Sequence, residues 1–178
     1  MRPAALAGLV AEVRGGRRQV LECGSGVSTI VLGRALGERG GHLHALEHDP
    51  GWASVVVSRL ERERLGDTVD LIEAPLRPHP VARDGTGWYE EAQLERVPAQ
   101  GIDLLLVDGP PAGEPGLGLS RYPALQALAE RLTRDAIVVL DDIDRPGEAA
   151  VLDAWERETA FRFERRPTER IAVGRRTS

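Results

Sequence analysis

The 178-residue chain contains no lysine; all 23 of its basic side chains are arginine. A guanidinium does not lose its proton usefully near neutral pH, so a lysine general base and a Schiff-base nucleophile are both excluded. Cys23 is the single cysteine. That excludes an internal disulfide and fits a reducing compartment, so a cytoplasmic location is expected. No apolar run approaches the roughly 18–20 residues that cross a bilayer. The opening MRPAALAGLVAEVRGG carries only a short, interrupted apolar stretch without a small-residue cleavage site; neither a signal peptide nor a membrane partner is expected. Aromatic residues make up only 4%, which argues against a large aromatic cage, and the net charge of -5 supplies no basic field for nucleic acid. Arg17-Arg18, Arg165-Arg166 and Arg175-Arg176 are expected to be solvated surface.

What is present is a 42% hydrophobic chain without repeats, low-complexity blocks or linker-like breaks. This is the composition of one soluble domain, residues 1–178, with a substantial core. Short β-type apolar runs alternate with amphipathic helical stretches, so the expected fold is α/β: a Rossmann-like, doubly wound, mostly parallel sheet with helices on both faces. Strands are expected at Gln19–Cys23, His42–Glu47, Thr68–Glu73, Ile102–Asp108 and Ala136–Asp141. Phe161–Glu164 and Arg170–Gly174 would form a C-terminal antiparallel hairpin. Helices are expected at Ala4–Arg14, Val27–Glu38, Gly51–Leu65, Tyr122–Leu132 and Pro146–Thr159, with Asp49-Pro50 and Arg145-Pro146 as helix starts. Pro75–Gln100, interrupted by Pro78, Pro80, Gly85, Gly87 and Pro98, reads as a loop with an exposed Trp88-Tyr89 pair and a short helix at Glu90–Val97. Trp155 is expected in the core.

The chemistry begins at VLECGSGVSTIVL, residues 20–32. Glycines at a strand's carboxyl end let a backbone approach a ligand without a Cβ clash, and the following helix start offers unpaired N–H donors. Alone, Gly24-Ser25-Gly26 is also what a tight strand-to-helix turn needs. Glu47 ends the next strand, about 20 residues on, where an acid accepts both hydroxyls of a ribose. His48 follows it, beside the place an adenine would take, whereas His42 and His44 alternate within the strand and are expected to pack. A dinucleotide site places a third glycine at the position of Thr29, and an acid such as Glu22 sits badly beside a pyrophosphate but well beside an ammonium group. This favours S-adenosylmethionine over NAD.

ECGSGVST, LEHD, VDGPP and LDDI, in this order and spacing, resemble a class I S-adenosylmethionine-dependent methyltransferase of the small O-methyltransferase-like branch that includes catechol O-methyltransferase relatives. The resemblance spans about residues 18–174. It implies that Gly24 and Gly26 line the methionine part, with Glu22 near its ammonium group and Ser28-Thr29 at the helix start. It also implies Glu47 at the ribose, His48 and Ala74-Pro75 at the adenine, and Asp108 between donor and acceptor. The acceptor would be a small molecule, with oxygen favoured and nitrogen or carbon left open.

Asp108, Asp141 and Asp142 end adjacent strands, whose ends lie about 5 Å apart. Converging carboxylates repel, and a hard divalent ion relieves that repulsion. With the resemblance, these three become a candidate Mg²⁺ site; alternatively Asp142 caps a helix and Asp108 orients the donor. The catechol-type pattern has a lysine soon after the fourth-strand aspartate, where this chain has Gly109-Pro110-Pro111. His79, Tyr89 and Asp142 are the substitute bases to weigh, and metal coordination alone can ionise a hydroxyl. Tyr89 is expected at the acceptor. Arg121 either meets an anionic group there or pairs with Asp141 or Asp142, and Arg145 could pair with Glu148. The acceptor site would be open or covered by a second subunit in a homodimer. An NAD-linked oxidoreductase and a non-catalytic nucleoside-binding scaffold are the rival readings.

Overall fold

The computed structural model describes residues 1–177. In chain order the elements are α1 (Pro3–Arg14), β1 (Gln19–Cys23), α2 (Val27–Gly37), β2 (His42–Glu47), α3 (Pro50–Glu63) and β3 (Val69–Glu73). A two-stranded hairpin follows, β4 (Leu76–Pro78) and β5 (Gly87–Tyr89), then α4 (Glu91–Leu94) and β6 (Ile102–Val107). The chain continues with α5 (Pro123–Leu128), β7 (Leu132–Leu140), α6 (Pro146–Glu158), β8 (Phe161–Arg166) and β9 (Ile171–Arg176).

Seven strands form one sheet in the order β3-β2-β1-β6-β7-β9-β8. The first five run parallel; β9 is antiparallel to both β7 and β8. This is the expected mostly parallel sheet with its C-terminal antiparallel pair. The chain winds outward from β1 to β3, then returns to lay β6 on the other side of β1. That reversal opens a crevice beyond the carboxyl ends of β1 and β6, where open α/β sheets hold their ligands.

The central strands are buried on both faces, which is why they read as continuous apolar runs rather than alternating ones. On one face α1, α2 and α3 place Leu9, Val13, Leu32, Leu36, Val56 and Leu60 against Val20, Leu43, Leu104 and Leu106. On the other, α5, α6 and the β4–β5 hairpin cover Leu21, Leu46, Leu105 and Val138. Trp155 is fully buried in this second layer and donates its Nε1–H to the Tyr122 carbonyl at 2.8 Å. Helix α3 begins as its sequence dictates. The Asp49 side chain accepts the Trp52 N–H at 2.9 Å, and Pro50 occupies a first-turn position where no N–H is needed.

The largest departures from expectation lie in two stretches. The segment read as a loop contains the β4–β5 hairpin, pairing Leu76 with Tyr89 and Pro78 with Gly87. Consequently Trp88 and Tyr89, expected at the surface, are completely buried. Helix α5 stops at Leu128 and passes through a 3-10 turn, Ala129–Arg131, because Leu132 already enters β7 beside Ile102.

Candidate active site

The loop from Cys23 to Val27 is shaped by two different glycines. Gly24 has φ +88°, and a Cβ there would lie 3.0 Å from the Gly109 nitrogen. It lets the ends of β1 and β6 touch backbone to backbone. At Gly26 an added Cβ would meet no heavy atom within 4 Å. Packing does not require that glycine; its bare face borders open space. A polar staple fixes the loop from beneath. Thr29 Oγ1 accepts the Gly26 N–H at 2.8 Å and donates to Glu22 Oε2 at 2.6 Å, while Ser28 Oγ donates to Glu22 Oε1. Burial pushes the Glu22 carboxyl up to about 7, against the lowering effect of the Ser28 and Thr29 hydroxyls.

Two adjoining hollows share Gly24, Ser25 and Asp108. One, about 410 Å³, is lined by Glu47, His48, Asp49, Trp52, Gly109 and Pro111 together with those three. The other, about 210 Å³, extends over Gly26, Val27 and Ser28. Glu47 is buried at the far end of the first. Its Oε2 accepts the Ser25 N–H at 3.1 Å and the Ser25 hydroxyl at 2.7 Å; its Oε1 accepts the N–H groups of His48 and Asp49 at 2.8 and 2.9 Å. The carboxylate is thus locked at the carboxyl end of β2, and Glu47 lines the larger hollow.

At the opposite end stand the acids of β6 and β7. Each of Asp108, Asp141 and Asp142 offers an oxygen, and the three atoms lie within 4.8 Å of one another. Burial first, then Asp141, push the Asp108 carboxyl up to about 6, opposed by Arg121. The terminal ammonium of Met1 stands 2.9 Å from Asp141 Oδ2 and 3.6 Å from Asp108 Oδ2. Asp142 is shared differently: Oδ2 faces Arg145 at 2.9 Å and Arg121 at 3.4 Å, and Oδ1 faces Arg170 at 3.3 Å.

The family model whose description is "Methyltransferase domain" matches residues 21–143, from the middle of β1 past the paired aspartates. The chain belongs to the methyltransferase domain family. Comparison with curated proteins finds no match. The fold is similar to that of a methyltransferase from Podospora anserina, PaMTH1, solved with SAH bound (14% identity, 100% of this chain and 80% of that chain, TM-score 0.75). It is also similar to an O-methyltransferase from Bacillus cereus in complex with SAH (19%, 99% and 82%, TM-score 0.70). A third similar structure is the O-methyltransferase TomG from Streptomyces achromogenes in complex with SAM (16%, 100% and 82%, TM-score 0.67). Membership of the family favours methyl transfer over the NAD-linked alternative.

Within this methyltransferase domain, Gly24, Gly26, Ser28, Glu47, His48 and Asp108 come together around the two hollows. Glu22 and Thr29 do not face them. Both are fully buried, and both Glu22 oxygens are held by hydroxyls, so Glu22 braces the loop from below instead of lining the cleft. Ala74 lies buried at the end of β3, its N–H bonded to the Glu47 carbonyl at 2.7 Å, and neither Ala74 nor Pro75 lines the two hollows.

Two residues expected at the acceptor are structural supports. Tyr89 is sealed below the Gly24–Gly109 contact, where a Cβ on Gly109 would come within 2.9 Å of its hydroxyl, and burial raises its phenol well above the ordinary range. It is no base near neutral pH. Arg121 is buried and spans three elements: it donates to the Asp108, Pro110 and Asp141 carbonyls at 2.7, 3.2 and 3.1 Å and pairs with Glu148 at 3.4 Å. Of the two roles open to it, the structure places it in the pairing role. The expected Arg145–Glu148 pair is present at 3.5 Å. His79 lines a separate hollow beside β4 with Arg77 and Gly87, away from the acids. Sequence reasoning missed Ser25, which ties the glycine loop to Glu47, and Trp52, whose Nε1–H donates to the Ser25 carbonyl at 2.9 Å. The Asp49-Pro50-Gly51-Trp52 helix start was the available signal for Trp52.

Proposed function

We propose that this chain transfers the methyl group of S-adenosylmethionine to a hydroxyl of a small-molecule acceptor, with Mg²⁺ at Asp108 and Asp141. The observation that carries the reading is one continuous cleft. It runs from Glu47 and His48, past Gly24 and the Cβ-free face of Gly26, to the carboxylate of Asp108. That layout suits a ligand with a ribose at one end and an amino acid along the glycine loop, leaving the reacting centre near Asp108. The open space at Gly26 and the place of Glu47 in the lining of the larger hollow support the fit.

When bound, S-adenosylmethionine supplies an electrophilic methyl group on a sulfonium centre. The protein's contribution is mainly alignment, since fixing donor and nucleophile in line removes much of the entropic barrier. The Glu22–Thr29–Gly26 staple holds the loop in place. Glu47 orients the donor through its oxygens, and His48 and Trp52 border the same hollow. Arg121 fixes the backbone carbonyls of Asp108 and Asp141, and so the spacing of their side chains. Asp108 stands at the reacting end of the cleft, where its carboxylate would hold the metal beside the acceptor hydroxyl, whose proton would pass to solvent. Mg²⁺ held by Asp108 and Asp141, with Asp142 sharing an oxygen with its arginines, would supply a Lewis acid that lowers the hydroxyl pKa.

The reading is tested by incubating the chain with S-adenosylmethionine, Mg²⁺ and a panel of hydroxylated small molecules, with products weighed by mass spectrometry. A methylated acceptor and S-adenosylhomocysteine should form in equal amounts, and Asp108→Asn should abolish both. S-adenosylhomocysteine binding without turnover on any hydroxylated, amino or carbon acceptor would leave a nucleoside-binding scaffold instead.

A further inference from the structure

A second cluster of potential ligands lies at the other end of the sheet. His42 opens β2 and His44 follows two residues later, so both project from the same face. Asp70 stands beside His44 in the parallel register of β2 with β3. His42 Nε2 is 3.0 Å from Asp70 Oδ2, His44 Nδ1 is 3.4 Å from the same oxygen, and the two imidazole centroids are 4.7 Å apart. One donor atom from each residue lies within 4.8 Å of the other two. Only the His42–Asp70 contact is a hydrogen bond. His44 retains 7% exposure, and its Nδ1, aimed at Asp70, has no hydrogen-bond partner. Leaving a buried polar atom unpaired costs about 1–3 kcal/mol. Packing accounts for the imidazole ring but not for that nitrogen, and Asp70 lies within ion-pair reach of both histidines yet hydrogen-bonds His42 alone.

We propose that His42, His44 and Asp70 form a binding site for a single zinc ion at the amino ends of β2 and β3. Zinc bonds of about 2.0–2.2 Å in a tetrahedron keep neighbouring donor atoms roughly 3.3 Å apart. The 3.0 and 3.4 Å separations bracket that value. Two imidazoles with one carboxylate select a borderline ion such as zinc over magnesium. Asp70 and His42 are partly exposed, leaving an entry path and a fourth position for solvent. The site is separate from the cofactor cleft: His42 and Glu47 lie at opposite ends of β2, roughly 16 Å apart at about 3.3 Å per residue. A bound ion would tie the edge strand β3 to β2.

The test is calorimetric titration of the full chain, purified without a polyhistidine tag, with zinc in excess Mg²⁺ so that the aspartate cluster is occupied. One equivalent should bind with micromolar affinity and raise Tm as zinc increases. His42→Gln and Asp70→Asn, both at partly exposed positions, should each weaken binding at least tenfold and remove the Tm rise. Asp141→Asn should leave zinc binding intact. Cobalt(II) added to the wild-type chain should give the visible absorption of a tetrahedral site, a readout independent of any variant. No zinc uptake, uptake retained by His42→Gln and Asp70→Asn, or loss on Asp141→Asn would each overturn the proposal.

Discussion

Gly24 and Gly109 meet backbone to backbone, so close that a Cβ on Gly24 would stand 3.0 Å from the Gly109 nitrogen and 3.1 Å from its Cα. This contact closes the switch point of the sheet and sets the floor of the cleft. It also separates the roles of the two glycines in the loop, since Gly26 has no such neighbour.

Gly24→Ala should therefore damage the fold, by about 2 kcal/mol, through a left-handed φ and a backbone collision. Gly26→Val should cost much less stability but fill the hollow, lowering affinity for S-adenosylhomocysteine at least tenfold. Thermal melts and ligand titrations of both variants would separate the two effects; equal losses of stability would contradict this division of labour.

Glu22 gives stability a defined pH dependence. Its carboxyl is raised from the ordinary 4.5 to about 7, so the folded state binds a proton that the unfolded state has released between those values. The stability from this group is fully present below about pH 4.5 and is lost as pH rises through 7, on the order of 3 kcal/mol in all. Glu22→Gln should flatten that part of the curve. Urea midpoints at pH 5 and pH 8 in the two chains would measure it, with unchanged slopes counting against the burial of an ionisable Glu22.

Arg121 should be hard to replace. Asp108, Asp142 and Glu148 all face it, and its guanidinium also holds three carbonyls. Arg121→Leu leaves buried acids uncompensated, an effect of about 3–5 kcal/mol. Arg121→Lys should rescue little, because an ammonium cannot span the same set of partners. A denaturation midpoint within error of wild type for Arg121→Lys would remove the guanidinium geometry from the explanation.

Trp52 is 48% exposed at the cleft, whereas Trp88 and Trp155 are fully buried. Ligand binding should change the emission of Trp52 alone. Trp52→Phe should abolish the ligand-induced fluorescence change; a change that survives the substitution would place the ligand elsewhere.

Much of the fold was legible in the sequence because the central strands are buried on both faces. β1 and β2 occupy the expected residues, where continuous apolar runs end in Glu22-Cys23 and Glu47. β7 begins earlier than expected, at Leu132, because the polar stretch Thr133-Arg134-Asp135 bulges between the pairings of Ile102 and Leu104. Prolines and glycines hid the β4–β5 hairpin, and with it the burial of Trp88 and Tyr89: a hairpin of two three-residue strands leaves almost no periodicity to read. In the site, Glu47 and Asp108 were legible as acids at strand ends. The environment of Asp142 was not. Arg121, Arg145 and Arg170 reach it from the loop before α5, the start of α6 and the turn before β9, and pairing between such distant segments leaves no spacing signal. The cover over Glu22 was equally hidden, although Ser28 and Thr29 stood in the motif.

The most direct test of the methyl-donor cleft is calorimetric titration of the chain with S-adenosylhomocysteine, repeated with Glu47→Ala. Micromolar binding that weakens at least tenfold in the variant is the predicted result. No binding to the wild-type chain, or equal binding to both, would contradict the placement of the donor between Glu47 and Asp108.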